Sequence, residues 1–315
     1  WQIARQARVA GQAHVSRTLR ARSNYSSGKL ETYEPRGNIQ MEFQFQKISD
    51  YGTANPIVAR LSIQTSDLCN FFITDQKRKD KILKTMGFDI QFKLLETFKI
   101  YDEMLLEIQK IDKEATEKGF NVQASGRVAL LPGIVRLESR CDAFLYNAKN
   151  VLREILKLIN VLWGTDFKGT RFDEAAKWFS CNEEIDKKFS EMLKSDHDLW
   201  IKRLIDMRNA AEHPEGEMGP ILYKNITLVQ INGQYKYCPP AWKFNTTEFM
   251  SIIDDMETTI DNLLRFSEDI LTGYLSMLPH KFPLVFIEIP ENERNPDMPV
   301  RIRMGMDSSK LGNNK

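Results

Sequence analysis

Between residues 89 and 118 the apolar positions Ile90, Leu94, Leu95, Phe98, Tyr101, Leu105, Ile108, Ile111 and Ala115 recur at steps of one, three or four, which gathers them on one stripe of a helix. Gly119 is expected to end it. Residues 132–163 repeat the pattern with Ile134, Leu137, Cys141, Phe144, Leu145, Ala148, Leu152, Ile155, Ile159 and Leu162, opened by Pro132 in the first turn and closed by Gly164. The interval 57–85 is less regular, and Leu61, Leu68, Phe71, Phe72, Ile82 and Leu83 predict one or two helices there. Residues 172–213 predict a third helical region, interrupted at "KSDHD", where Ser195 can cap a new helix and Asp198 can favour its positive end. The last helix, 246–278, follows "NTTE" with Thr246 or Thr247 as its cap, and carries Phe249, Ile252, Ile253, Met256, Ile260, Leu263, Leu264, Leu271, Tyr274, Leu275 and Leu278.

Two short stretches follow the period of two instead. In "ITLVQINGQYKY" the dipeptide Asn232-Gly233 separates Ile226–Ile231 from Gln234–Tyr237, and it suits a two-residue type I′ hairpin because both turn positions need positive φ. "PLVFIEI" and "PVRIRM" bracket the loop "PENERNPDM" as a second pair. Long helices with one wet face bury their stripes most simply against one another. The predicted fold is therefore mainly α: an antiparallel helical bundle with long helices and one or two small β-hairpins. The chain divides into a leader over 1–40, a linker over 41–56, a helical domain over 57–278 with a hairpin inserted near 222–240, a C-terminal hairpin over 279–304 and a disordered tail over 305–315.

Charge separates the leader from the rest. The whole chain has a formal charge of +1, but residues 1–40 hold seven Lys/Arg against two Glu, and the remaining 37 basic and 41 acidic residues leave the body near −4. The leader's arginines and serines match a transit segment, or translated sequence upstream of a start at Met41, and it is set aside from the fold. A slightly acidic body lacks the broad positive field that draws a protein onto any nucleic acid, so an RNA contact has to be local. Cys69, Cys141, Cys181 and Cys238 lie 72, 40 and 57 positions apart without ligand spacing, which points to a reducing compartment and no metal site. No apolar run approaches the ~18 residues of a membrane span. The expectation is a cytoplasmic protein that needs no cofactor.

Candidate chemistry concentrates in "IDMRNAAEHPEG", at the end of a helix that Pro214 stops. At ~100° per residue from Ile201, Arg208 and Glu212 fall in the middle of the apolar stripe, and Asn209 and His213 fall on its flank one turn apart. A guanidinium on a core-facing stripe must be paired or must line a cavity. Two readings follow. In one, Glu212 holds Arg208 at i, i+4 and His213 interacts with the negative helix end. In the other, the cluster faces a cleft: Arg208 binds a phosphate through its planar fork, and His213 moves a proton to or from a 2′-hydroxyl or a leaving oxygen, with Asn209 orienting the ring or bonding a phosphate oxygen.

"RNAAEH", Arg208 to His213, resembles the R-x(4–6)-H signature of the HEPN superfamily, in which a polar residue often follows the arginine as Asn209 does here. Members are helical bundles, and many are metal-independent ribonucleases of toxin–antitoxin, phage-defence and RNA-processing systems that pair two copies around a composite site. The resemblance implies Arg208 and His213 as the catalytic pair, Asn209 as their polar support, RNA as substrate, a homodimer, and an antitoxin or nucleotidyltransferase as partner; Glu212, one turn from Arg208, is added as a substrate-binding candidate. Arg8 and His14 share the bare spacing, but Val9 follows the arginine and no helical period surrounds it. The alternatives are a non-catalytic bundle of this type that binds RNA or nucleotide, and a structural or adaptor helical protein.

Other motifs contribute little. No G-x-x-x-x-G-K, G-x-G-x-x-G, G-x-S-x-G or H-E-x-x-H occurs. His197 and His280 stand alone and read as surface or packing residues. The basic run "DQKRKDKILK" reads as a solvated helix face. Phe144, Tyr146, Trp163, Trp178 and Trp200 read as core or dimer contacts.

Overall fold

The computed structural model describes residues 50–118, 133–183, 185–231, 234–245, 247–279 and 284–306. The leader, and most of the linker that follows it, lie outside them. The chain enters the fold through Pro56–Val58, where the Asn55 side chain accepts from the Ile57 N–H at 2.9 Å; it continues as a π-helical turn over Ala59–Gln64 and returns to α geometry as α1 (Thr65–Phe72). Asp75 then caps α2 (Gln76–Lys84) on the Arg78 N–H, and a second π turn, Thr85–Ile90, runs without a break into α3 (Gln91–Lys118). The interval 57–85 thus holds two helices, the second continuous with the regular stripe beyond it. Gly119 lies outside the described residues.

Helix α4 (Leu137–Trp163) starts five residues later than the helix expected from Pro132, which itself lies outside the described residues. The delay has a local cause. The Asn225 side chain accepts from the Ile134 N–H and donates to the Ile134 carbonyl, both at 2.9 Å, and Arg136 takes a left-handed φ of 54°. Backbone groups held by a side chain cannot join a helix ladder. Gly164 ends α4 as expected, at φ 71° with its N–H on the Asn160 carbonyl.

The third region comprises α5 (Phe172–Cys181), α6 (Lys187–Asp196), a π turn over His197–Ile201 and α7 (Lys202–Glu212). Its interruption falls at 182–186, where Asp186 caps α6 on the Lys188 N–H, and not at "KSDHD". Ser195 lies inside α6 and Asp198 inside the π turn, because that turn carries the chain from α6 to α7 without a new start. Helix α8 (Ile252–Met277) likewise begins at Ser251, whose hydroxyl accepts from the Asp254 N–H. Thr247 is occupied earlier, donating to the Phe244 carbonyl at 2.7 Å to close a turn; Thr246 lies outside the described residues.

The insertion between α7 and α8 is more elaborate than one hairpin. β2 (Thr227–Ile231) and β3 (Gln234–Cys238) pair antiparallel with Ile231 opposite Gln234, which leaves Asn232-Gly233 as the two-residue connection; that dipeptide lies outside the described residues. Around this hairpin β1 (Leu222–Lys224) pairs with β4 (Ala241–Lys243), which also pairs with β5 (Met250–Ser251). β6 (Leu284–Glu288) and β7 (Ile302–Met306) form the expected C-terminal hairpin, with β7 running two residues past its expected end into the tail, the rest of which lies outside the described residues.

Helices α3 and α4 run antiparallel, since Arg140 near the start of α4 pairs with Glu107 far along α3, and Lys93 at the start of α3 lies 3.8 Å from Glu154. Both pack on α8, and one core cluster extends from Ile57 to Leu275. The ends of α4 and α8 meet where Trp163 stacks on Phe189 and contacts Tyr274; Gly273 lies against the Phe189 ring with no room for a Cβ. Among the described residues no helix is long and apolar enough to cross a membrane.

A buried carboxylate ties both ends of the fold to α8. Glu268, 1% exposed, accepts from Arg60 Nε at 2.9 Å and Gln64 Nε2 at 2.7 Å, and lies 3.1 Å from Arg301 Nε. Gln64 Oε1 in turn accepts from the N–H groups of Arg301 and Ile302 at 2.8 and 2.7 Å, holding β7 against the first turn of the fold. Removing one partner of such a buried network leaves uncompensated charge. Glu268→Ala is expected to cost about 3–5 kcal/mol of stability, read from the shift of a chemical denaturation midpoint; an unchanged midpoint contradicts this account of the network.

Candidate functional site

Helix α7 packs on α4 with Leu204, Met207 and Ala210 buried, and a polar clamp sets its position along the axis. Arg203 donates to the Asp255 carboxylate at 3.0 and 2.6 Å, and the same carboxylate accepts from Trp242 Nε1 at 2.8 Å, joining α7, β4 and α8. This seating corrects the wheel drawn from Ile201. The buried face is centred on Met207, so at ~100° per residue Arg208 stands at its edge and Glu212 further out, not in the middle of the stripe. Met207 and Ala210 carry the packing, and Ile205 is only half-buried.

At that edge α7 meets a polar line on α4. Tyr146, Lys149, Asn150 and Arg153 fall at i, i+3, i+4 and i+7, opposite the buried Phe144, Ala148, Val151 and Leu152. Together with Arg208 and Glu212 they wall a cavity of about 220 Å³. Three of the six lining residues are cations and one is a carboxylate. The Arg208 guanidinium lies over the Tyr146 ring, 5.6 Å from its centroid, and pairs with Glu212; its side chain is 16% exposed and that of Glu212 48%. Tyr146, expected in a core or dimer contact, is 52% exposed on the cavity wall.

Asn209 is bonded across to α4. Its Oδ1 accepts from Lys149 Nζ at 2.7 Å, which fixes the ammonium beside the cavity. Burial first, and then the charges of Arg208 and Arg153, push the Lys149 pKa below the ordinary lysine value.

His213 is the last residue of the helical run. Its N–H bonds the Asn209 carbonyl at 2.9 Å while its backbone leaves helical geometry at φ −130°, ψ 70° before Pro214. The side chain is 72% exposed and is not part of the cavity wall; Nε2 lies 3.8 Å from Glu212 Oε2. The structure therefore brings Arg208, Glu212 and His213 into one row at the end of α7, and turns Asn209 toward Lys149.

The motif alone does not reach Tyr146, Lys149, Asn150 and Arg153. Their signal is present in "YNAKNVLR": a polar stripe on an otherwise apolar helix, whose two cations have no acidic residue three or four positions away. Elsewhere, His197 bonds Asp198 at 2.9 Å, and His280 lies outside the described residues. Cys69 and Cys141 are buried, and burial pushes the Cys69 thiol up to about 12. In the basic run of α2, Arg78 is committed to the Leu162 carbonyl and the Tyr274 ring. Among the described residues no three His, Cys, Asp or Glu side chains gather as a cation site. No known protein family, curated protein or solved structure matches the chain.

An anion in the cavity favours protonated Lys149 and so restores its pKa. The lowered value means that the ammonium is lost earlier as pH rises than in an ordinary lysine at about 10.4. Pyrophosphate binding measured by calorimetry is expected to weaken as pH rises through the Lys149 value, and Lys149→Arg, which keeps its charge, is expected to flatten that decline. An identical decline in the variant contradicts the assignment.

Proposed function

We propose that this chain is a HEPN-like, metal-independent endoribonuclease. The observation that carries the reading is the convergence of Lys149, Arg153 and Arg208 on one cavity, with the exposed His213 3.8 Å from the Glu212 carboxylate of its wall. Two arginines, a lysine and an asparagine on the wall fit a phosphodiester, beside the Tyr146 ring and the Glu212 carboxylate. In this reading Arg208 takes a non-bridging phosphate oxygen through its fork, and Lys149 and Arg153 neutralise the adjoining backbone charge. Asn209 acts through Lys149, as a positioning residue.

The reaction is an in-line displacement. The 2′-oxygen forms a bond to phosphorus as its proton leaves, the bond from phosphorus to the 5′-oxygen breaks, and that oxygen takes up a proton. His213, with its ring open to solvent, serves one of these two transfers. The substrate is RNA, the working unit a homodimer, and a toxin or phage-defence role with an antitoxin or nucleotidyltransferase partner is the context the resemblance implies.

A second reading has one observation in its favour: Arg208 is already paired with Glu212, as expected of a structural or adaptor helical protein. One experiment separates the two. Purified protein is expected to cleave single-stranded RNA in EDTA, and His213→Ala is expected to abolish cleavage with helicity and melting unchanged and with salt-dependent RNA binding retained. Undiminished cleavage by the alanine variant rules out the assignment of His213; neither cleavage nor RNA binding by the parent protein selects the second reading, and binding without cleavage selects a non-catalytic RNA-binding bundle.

A further inference from the structure

The Glu212 carboxylate stands where the proposed mechanism needs a phosphate. It contacts Arg208 Nη1 and its Oε2 lies 3.8 Å from His213 Nε2, so one carboxylate spans the guanidinium and the imidazole. It is also the single acidic group on the cavity wall, facing Lys149, Arg153 and Arg208. Its hold is weak. Glu212 is the terminal residue of α7 and its side chain is 48% exposed, and an i, i+4 pair with the basic residue first is the less favourable orientation.

We infer that Glu212 is a displaceable internal counter-ion: it closes the cationic site at rest, and the incoming phosphodiester takes its place. Displacement uncovers the Arg208 fork at the moment the substrate phosphate arrives beside His213. It also sets a threshold on the ligand. A single phosphate exchanges one anion for another on Arg208, whereas a chain with several phosphates engages Lys149 and Arg153 as well and gains contacts that Glu212 never made. The site therefore favours a polynucleotide backbone over a mononucleotide. This rests on the RNA reading above for the identity of the ligand, and on the geometry for the role of the carboxylate.

The test uses a labelled single-stranded RNA with 2′-methoxy groups, which binds but offers no nucleophile, followed by fluorescence polarisation. Glu212→Gln and Glu212→Ala are each expected to tighten binding about threefold to tenfold, the scale of one local charge in a salt-sensitive contact, with circular dichroism and melting unchanged. The double variant Lys149→Ala/Arg153→Ala is expected to weaken it. Equal or weaker binding by both Glu212 variants, with the double variant still impaired, overturns the counter-ion role and leaves the RNA site standing. A double variant that binds as well as the parent removes the cavity as the RNA site, and the functional reading with it.

Discussion

The seating of helix α4 governs the structure described here. One side of Leu137–Trp163 is buried along its length, from Leu137 through Leu162, and packs on α3, α7 and α8. A helix fixed so completely on one side has no freedom to rotate, and its remaining stripe becomes a rigid ruler. Tyr146, Lys149, Asn150 and Arg153 are spaced along that ruler, and α7 is laid beside it by three apolar contacts and the Arg203–Asp255 clamp. The cationic cavity follows from core packing. No loop has to fold to make it. Burial first, and then the neighbouring charges of Arg208 and Arg153, lower the pKa of Lys149 there.

Regular spacing carried the long helices into view. The stripe over 89–118 corresponds to α3, which begins only two residues beyond the expected start, and the end of α4 falls at Gly164. Both hairpins appear where period-two runs flank turn residues. What period and propensity miss is competition from distant side chains. The start of α4 moved because Asn225, 91 residues away, took the backbone of Ile134. The break in the third region moved because a π turn carried the chain past Ser195, a rearrangement that a 3.6-residue wheel does not register. β1, β4 and β5, two or three residues each, are too short to announce themselves.

The candidate site divides in the same way. The row of Arg208, Glu212 and His213 was legible because it lies within six residues of one helix end, and the pairing of Arg208 with Glu212 at i, i+4 was one of the two geometries that spacing allowed. The wheel misplaced Arg208 because it took Ile201 as the centre of a face that Met207 in fact occupies. Of the two geometries the ion pair is the one formed: Arg208 and Glu212 lie on a cavity wall, while His213 stands outside that wall and Asn209 turns to Lys149. The α4 cations belong to a different helix some sixty residues earlier, as the contact of Lys149 with Asn209 shows, and only the tertiary packing joins them to the motif.

The central claim is that this row of residues serves attack by a ribose hydroxyl on phosphorus. Its most direct test is the chemistry of the cut ends on an RNA carrying one 2′-deoxy nucleotide, incubated with the parent protein in EDTA. The account predicts 2′,3′-cyclic phosphate and 5′-hydroxyl ends at ribonucleotides and no cut after the deoxy position. Scission there, or products bearing 5′-phosphate, would contradict it.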